Sequence, residues 1–351
     1  MRFVVVSDIH LRLQDNMGVI VNGLNSRLSD RLTALTTAVE YAKEKKVKAF
    51  IINGDVYDKV NPPEKLRRLF KDTVILPLLK AQIPIIFNMG NHDTNGEIIN
   101  LETEASIMSS MKEGSIEFIT EPTIICLEDI DIYFIPYGFP IPEDSVGCDY
   151  CFCHNGIAGA ETGVGVIQRD GEELSLEDFS IFKLSIMGHY HKPQRLTCKN
   201  GSEVLFVGST NAWDFGERLD KKRFLDLELT DTGYNYKSVS LPERKFIQIE
   251  VEENESWEAK ENVSECVVKL VLTGSRTWIK SLDIQSIKKS YEKLGVHKIM
   301  IDPKIVRDDR NLILEIDGTE TEEQIIRKYA ENIGGVDKDL LNLGLKVFRN
   351  S

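Results

Sequence analysis

Phe3-Val4-Val5-Val6-Ser7-Asp8-Ile9-His10 opens the chain with four apolar residues that stop at a short polar segment. The apolar run has the length and β-branched content of a buried strand. The same change of texture recurs four times. Phe50-Ile51-Ile52 leads to Gly54-Asp55-Val56-Tyr57-Asp58, and Ile85-Ile86-Phe87 leads to Gly90-Asn91-His92-Asp93. Tyr150 to Cys153 leads to His154-Asn155-Gly156, and Leu184 to Met187 leads to Gly188-His189-Tyr190-His191. Five of the chain's six histidines therefore fall just past apolar runs. An open α/β sheet places its chemistry at the carboxyl ends of its strands, so these five segments are expected to meet.

Helical spacing separates the early strands. Residues 31–45 carry Leu32, Leu35, Ala38, Val39 and Ala42 on one stripe, and residues 64–79 carry Leu66, Leu69, Phe70, Val74 and Leu78, with Pro77 expected to end or kink the helix. Strands alternating with helices imply parallel βαβ units. Beyond residue 117 short β-rich runs dominate, at 118–127, 130–136, 149–154, 184–187, 203–207, 224–229 and 234–239. A second sheet packed on the first, with helices outside, gives a four-layer αββα sandwich. Near Leu241-Pro242-Glu243-Arg244 the pattern changes. Half-exposed strands at 246–251, 267–272 and 312–316 and a helix at 282–294 suggest a small α+β unit. Two helices, at 320–332 and 337–348, form a tail. The expected division is 1–243, 244–318 and 319–351.

The 351 residues are 42% apolar and 28% charged, an ordinary soluble balance. No run reaches the roughly 18 apolar residues that a membrane span needs, and the start shows no cleavable leader pattern. The six cysteines are scattered in a chain too long to need staples, so reduced thiols in a cytoplasmic protein are expected. Cys148, Cys151 and Cys153 beside His154 invite a zinc reading, but strand alternation puts Cys151 and Cys153 on one face and His154 on the other. The net charge of −13 argues against a non-specific polyanion binder. It leaves nucleic acid open, because bound divalent ions reverse the local sign.

Asp, His and Asn supply hard oxygens and borderline nitrogens, a mix that suits manganese, iron or zinc better than calcium. The expected division is Asp8, His10, Asp55 and His191 on one ion, and Asp55, Asn91, His154 and His189 on a second. Asp55 would bridge them, and a metal-bound water would be the nucleophile. His92 is not needed as a ligand and is expected to transfer a proton to the leaving oxygen or to stabilise the phosphate. Asp93 is expected either to orient His92 or to cap the following turn, and Asp58 to support catalysis. Arg12 and Lys192 adjoin the segments and are expected to touch substrate phosphate.

These five segments, in this order, resemble the signature of the calcineurin-like metallophosphoesterases over residues 1–240. Three further stretches, Asn61-Pro62-Pro63, Leu205 to Thr210 and Phe215-Gly216-Glu217 with Asp220 to Arg223, resemble the SbcD-type DNA double-strand-break repair nucleases. The resemblance implies Mn²⁺-dependent exonuclease and endonuclease activity on DNA, a DNA-capping domain after residue 244, and an SbcC-type coiled-coil ATPase partner docked on the tail. It also implies a homodimer, with residues 64–79 and 102–111 as interface helices, in a compact bacterial or viral version of the enzyme. Some relatives carry a catalytic histidine where this chain has Asp58. The alternative on the same fold is a small-molecule phosphodiesterase or phosphatase, and a non-cutting structural subunit would require broken metal ligands.

Overall fold

The computed structural model describes residues 1–93, 116–141, 147–163, 166–167, 174–306, 321–333, 341 and 345. Two six-stranded sheets dominate. The first runs in the order Tyr234–Ser240, Arg223–Leu229, Arg2–Val6, Ala49–Asn53, Ile85–Asn88, Ile116–Ile119. Its four strands from Arg2–Val6 to Ile116–Ile119 are parallel, and the two from the Arg223–Leu229 hairpin are antiparallel. The second runs Gln194–Thr197, Glu203–Phe206, Leu184–Met187, Tyr150–Cys153, Ile130–Ile135, Thr123–Leu127. It too is parallel at its centre and antiparallel at both edges.

Side-chain alternation sorts the first sheet's residues into two cores. Val4, Val6, Phe50 and Ile52 face the helix Ser26–Lys45, meeting Leu28, Leu35, Ala38 and Val39. Phe3, Val5, Ala49 and Ile51 face the second sheet, meeting Phe134, Phe152, Ile186 and Leu205. The outer face of the second sheet holds Cys151, Cys153 and Met187, covered by Phe179 and Phe182 around the 3₁₀ turn Leu176–Ile181. The cysteine alternation is thus as expected: the thiols lie in an apolar layer, and burial pushes the Cys153 thiol up to about 12.

The first helix starts at Ser26, five residues before the expected 31–45, because the Asn25 side chain accepts the Arg27 N–H as its cap. Pro77 neither ends the second helix nor stands alone as a kink. Glu64–Phe70 passes into a π turn, Lys71–Ile75, and then into Leu76–Lys80. The widened turn lies just where a proline would leave a carbonyl of the preceding turn without its donor.

Two compact units divide the described chain. The first comprises Met1–Ile247, Asn262–Val268 and Glu292–Met300, the second Gln248–Glu261, Lys269–Tyr291 and Ile301–Ser351. Late in the chain a three-stranded sheet takes the order Phe246–Glu252, Val267–Gly274, Lys298–Ile305, where the last strand was not expected. The helix expected at 282–294 is Ile284–Lys293, preceded by Arg276–Ser281. The helix Glu322–Ile333 matches the first tail helix. The expected strand at 312–316, the dimer helix at 102–111 and nearly all of the helix at 337–348 lie outside the described residues.

Candidate metal centre

Five strands each deliver one of the five segments: the parallel neighbours Arg2–Val6, Ala49–Asn53 and Ile85–Asn88 in the first sheet, and the parallel pair Tyr150–Cys153 and Leu184–Met187 in the second. The chain turns sharply as it leaves them. Asp8, His10, Asp55 and His189 have φ of 50°, 48°, 57° and 86°. Left-handed backbone at non-glycine residues costs of order 1–3 kcal/mol each and persists where the surroundings over-determine it. Here they do. The Asp8 carboxylate accepts the His189 N–H at 3.0 Å and the Ser7 hydroxyl at 2.6 Å. Asp55 accepts the His92 N–H at 2.9 Å.

Glycines let these turns touch. A Cβ on Gly54 would fall 1.9 Å from His154 Nδ1, and one on Gly90 would fall 2.2 Å from Asp55 Oδ1.

Three groups of side chains bring ligand atoms within 4.8 Å of one another: Asp8, His10 and His191; Asp8, Asp55 and His154; and His10, Asp55 and His92. Asp55 belongs to two of them. Its Oδ2 lies 3.5 Å from His10 Nε2 and 3.5 Å from His154 Nε2, so one buried oxygen is flanked by imidazoles from two strands. His189 and Asn91 meet each other, Nδ1 to Oδ1 at 3.0 Å.

The histidines are set with lone pairs inward. His154 Nδ1 donates to the Asn53 carbonyl at 2.7 Å, and Nε2 is buried with no hydrogen-bond partner among the described residues. His191 Nδ1 donates to Glu217 Oε1 at 2.7 Å, and its Nε2 faces His10 Nε2 at 3.0 Å. Two imidazole nitrogens this close need a proton or a cation at them. The orphaned Nε2, the facing nitrogens and the two buried carboxylates fit a pair of divalent cations.

The charges reinforce this. Burial raises Asp8 above the usual carboxylate range, with neighbouring histidines pulling the other way. Asp55 also loses solvation, but His154 and His10 outweigh that and hold it ionised. Burial disfavours the charged form of His154, yet Asp55 and Asp8 lift it to about 9. A proton and a metal ion compete for the same Nε2 lone pair. Burial, aided by the charge of His154, takes His189 down to about 4 and keeps it neutral.

His92 Nδ1 donates to the main-chain carbonyl of Asp58 at 3.0 Å. Asp58 thus enters the site through its backbone. The Asp93 carboxylate does not orient His92. Its oxygens accept the N–H groups of Asp55, Val56 and Gly90 at 2.7, 2.9 and 3.0 Å, lacing two of the loops together. Burial and the charge of Asp55 push Asp93 up to about 6. Arg12 and Lys192 are brought near but paired: Arg12 with Asp15 and stacked 4.0 Å over the Trp213 ring, Lys192 with Glu161.

The support beneath His191 was not anticipated. Glu217 is held by the fully buried Lys222, Nζ to Oε2 at 2.7 Å, and Lys222 also reaches the Ser209 hydroxyl. Burial opposes ionisation of Glu217, but His191 and Lys222 bring it down to about 2. Trp213, with its ring 5.0 Å from that of His10, was also missed.

A family model, calcineurin-like phosphoesterase, matches residues 1–193, more than half of the chain. The chain belongs to that family. Among curated proteins it is similar to the SbcD component of the SbcCD nuclease from Staphylococcus epidermidis, with 24% identity over 263 residues, 65% of this chain and 66% of the relative. The chain thus spans just under two thirds of that relative's length. Among solved structures it is similar to the zinc complex of Vps29 from Entamoeba histolytica (TM-score 0.31, 11% identity, 68% of this chain and 99% of that one). It is also similar to a dimetal phosphatase from Danio rerio (TM-score 0.37, 11% identity, 69% and 99%). Among the described residues no helix is long and apolar enough to cross a membrane.

Proposed function

We propose that this phosphoesterase is a two-metal nuclease of the SbcD type, cutting DNA phosphodiester bonds with Mn²⁺ in company with an SbcC-type ATPase. The observation that carries it is the buried Asp55 oxygen flanked by two imidazoles. The flanking sequence matches and the SbcD relative support DNA as the substrate.

Asp8, His10, Asp55 and His191 would hold one ion and Asp55, Asn91, His154 and His189 the other. Such a pair supplies a hydroxide-like nucleophile near neutral pH and neutralises charge on the phosphate. His92 is assigned the proton transfer to the leaving oxygen. Its Nδ1 hydrogen is engaged by the Asp58 carbonyl, so Nε2 is the nitrogen left for that task. Asp93, Glu217 and Lys222 hold the loops in register. Arg12 and Lys192 are assigned to the DNA backbone, where phosphate would compete with Asp15 and Glu161 for them.

The wider reading places a phosphoesterase domain at 1–243, a capping domain at 244–318 and an ATPase-docking tail at 319–351. It includes pairing as a homodimer and action in a bacterial or virus-infected bacterial cytoplasm. The test is nucleotide release from linear duplex DNA with Mn²⁺, with and without the ATPase. His92→Ala should lower the rate by about 10²-fold or more, and Asp8→Ala should abolish it. Absence of metal-dependent release with the ATPase present would defeat the reading. So would turnover confined to small nucleotide esters.

A further inference from the structure

The strand Ile130–Ile135 leads into Pro136-Tyr137-Gly138-Phe139-Pro140, a stretch the metal site does not use. Tyr137 is 40% exposed and Phe139 37% exposed. Single exposed aromatics are ordinary. These two instead line one cavity of about 320 Å³, together with Asn155, Leu174 and His189. The Tyr137 ring lies 5.5 Å from the His189 ring and 6.5 Å from that of His154. The cavity thus adjoins the metal cluster. Its volume is at the small end of the range for ligand pockets, room for a single flat group.

The loop is fixed from beneath. Asn155, itself buried, accepts the Gly138 N–H at 3.0 Å and donates its amide to the Phe139 carbonyl at 3.2 Å. Gly138 takes φ +84°, and the Tyr137 N–H donates to the Met89 carbonyl at 2.9 Å. These bonds fix the backbone that carries both rings, although neither ring is buried. No charged side chain occurs among the described residues lining the cavity. Such a wall suits a neutral planar ring and offers a phosphate no cationic side chain.

We propose that this cavity is a nucleobase subsite. A base adjoining the scissile phosphate stacks on Tyr137 and Phe139 while its phosphate lies at the metal cluster. The proposal rests on the nuclease reading above. Stacking uses the face that every base shares, so the subsite tolerates any sequence and fixes only where along the strand the cut falls.

The test uses the whole chain and single-stranded oligonucleotides, with Ca²⁺ in place of Mn²⁺ to hold back cleavage. An abasic site is moved one position at a time. At one position it should weaken binding by roughly 5- to 100-fold. In Tyr137→Ala/Phe139→Ala the same change should alter binding less than about twofold, while Tyr137→Phe/Phe139→Tyr keeps the wild-type pattern. The emission of 2-aminopurine at the sensitive position should be quenched on binding to the wild type and not to the alanine pair. If Mn²⁺-dependent DNA cleavage proceeds but no position is sensitive, the subsite is wrong and the nuclease reading stands. If DNA is neither bound nor cut while p-nitrophenyl phosphate turnover depends on Tyr137 and Phe139, both fall and the cavity takes a small aromatic leaving group.

Discussion

Gly54→Ala separates two demands that one residue meets. Gly54 has φ +91°, and an added Cβ would lie 1.9 Å from Nδ1 of His154, a ring with no exposed surface. A left-handed alanine costs about 1–2 kcal/mol. The collision must move the His154 ring or the Asn53–Gly54 backbone, and overpacking of this kind costs roughly 1–3 kcal/mol. Moving the ring also stretches the bond from Nδ1 to the Asn53 carbonyl, worth about 1 kcal/mol net. The sum is roughly 3–6 kcal/mol of stability. Displacement of the orphaned His154 Nε2 should also lower metal affinity about 10- to 100-fold. Gly201 provides the control, since it has φ +93° with nothing among the described residues within 4 Å of an added Cβ. Gly201→Ala should cost only the backbone part, about 1–2 kcal/mol, and leave metal affinity unchanged. Urea unfolding and Mn²⁺ titration of the three proteins supply both readings. If Gly54→Ala proves no worse than Gly201→Ala on either, the close approach of these two strand ends is not what the structure says.

Glu217→Gln removes the nearer of two carboxylates at the buried Lys222, leaving Asp220 at 3.6 Å, and should destabilise by about 1–3 kcal/mol. Adding Lys222→Met should recover part of that loss in chemical denaturation, while metal affinity stays low in both because His191 has lost its carboxylate. The Asp226 carboxylate accepts two bonds from Arg2 and one from the Tyr41 hydroxyl, and the Arg2 bonds lead in holding it below its usual range. A depressed carboxylate stabilises above its unfolded-state value near 4 and loses that contribution as pH falls through the lower folded value. The stability gap between wild type and Asp226→Asn should therefore be constant from about pH 5 to 7 and shrink below about pH 4 in urea melts. Phe152, buried between the sheets and stacked 5.0 Å from Phe134, should cost about 3–5 kcal/mol when replaced by alanine, with metal affinity retained.

The strand-end cluster of Asp and His side chains was legible because each member follows an apolar run that reads as a buried strand. The two sheets share a core through Phe3, Val5, Phe152 and Ile186, and in the structure the carboxyl ends of their strands meet at Asp8, Asp55, His154 and His189. Glu217 was harder to read. It stands 26 residues beyond His191, on a 3₁₀ turn with no periodic pattern, and its role exists only because Lys222 returns beneath it. Asp58 illustrates a different limit: residue type suggests a carboxylate, but the atom that reaches His92 is a carbonyl that any residue carries. Asp93 lies next to His92 in the chain, yet its oxygens are taken by two N–H donors from the strained turn at Asp55 and a third from Gly90. The edge strand Gln194–Thr197 was missed because half its residues face water, and only pairing with Glu203–Phe206 organises it.

Counting bound Mn²⁺ by elemental analysis on wild type and Asp55→Asn, with circular dichroism to show that both are folded, asks most directly whether one aspartate joins two cations. The structure predicts two ions per wild-type chain and the loss of at least one, with sharply weaker retention of the other, in Asp55→Asn. A wild type that retains no metal, or a variant that binds as many ions as tightly, would contradict it.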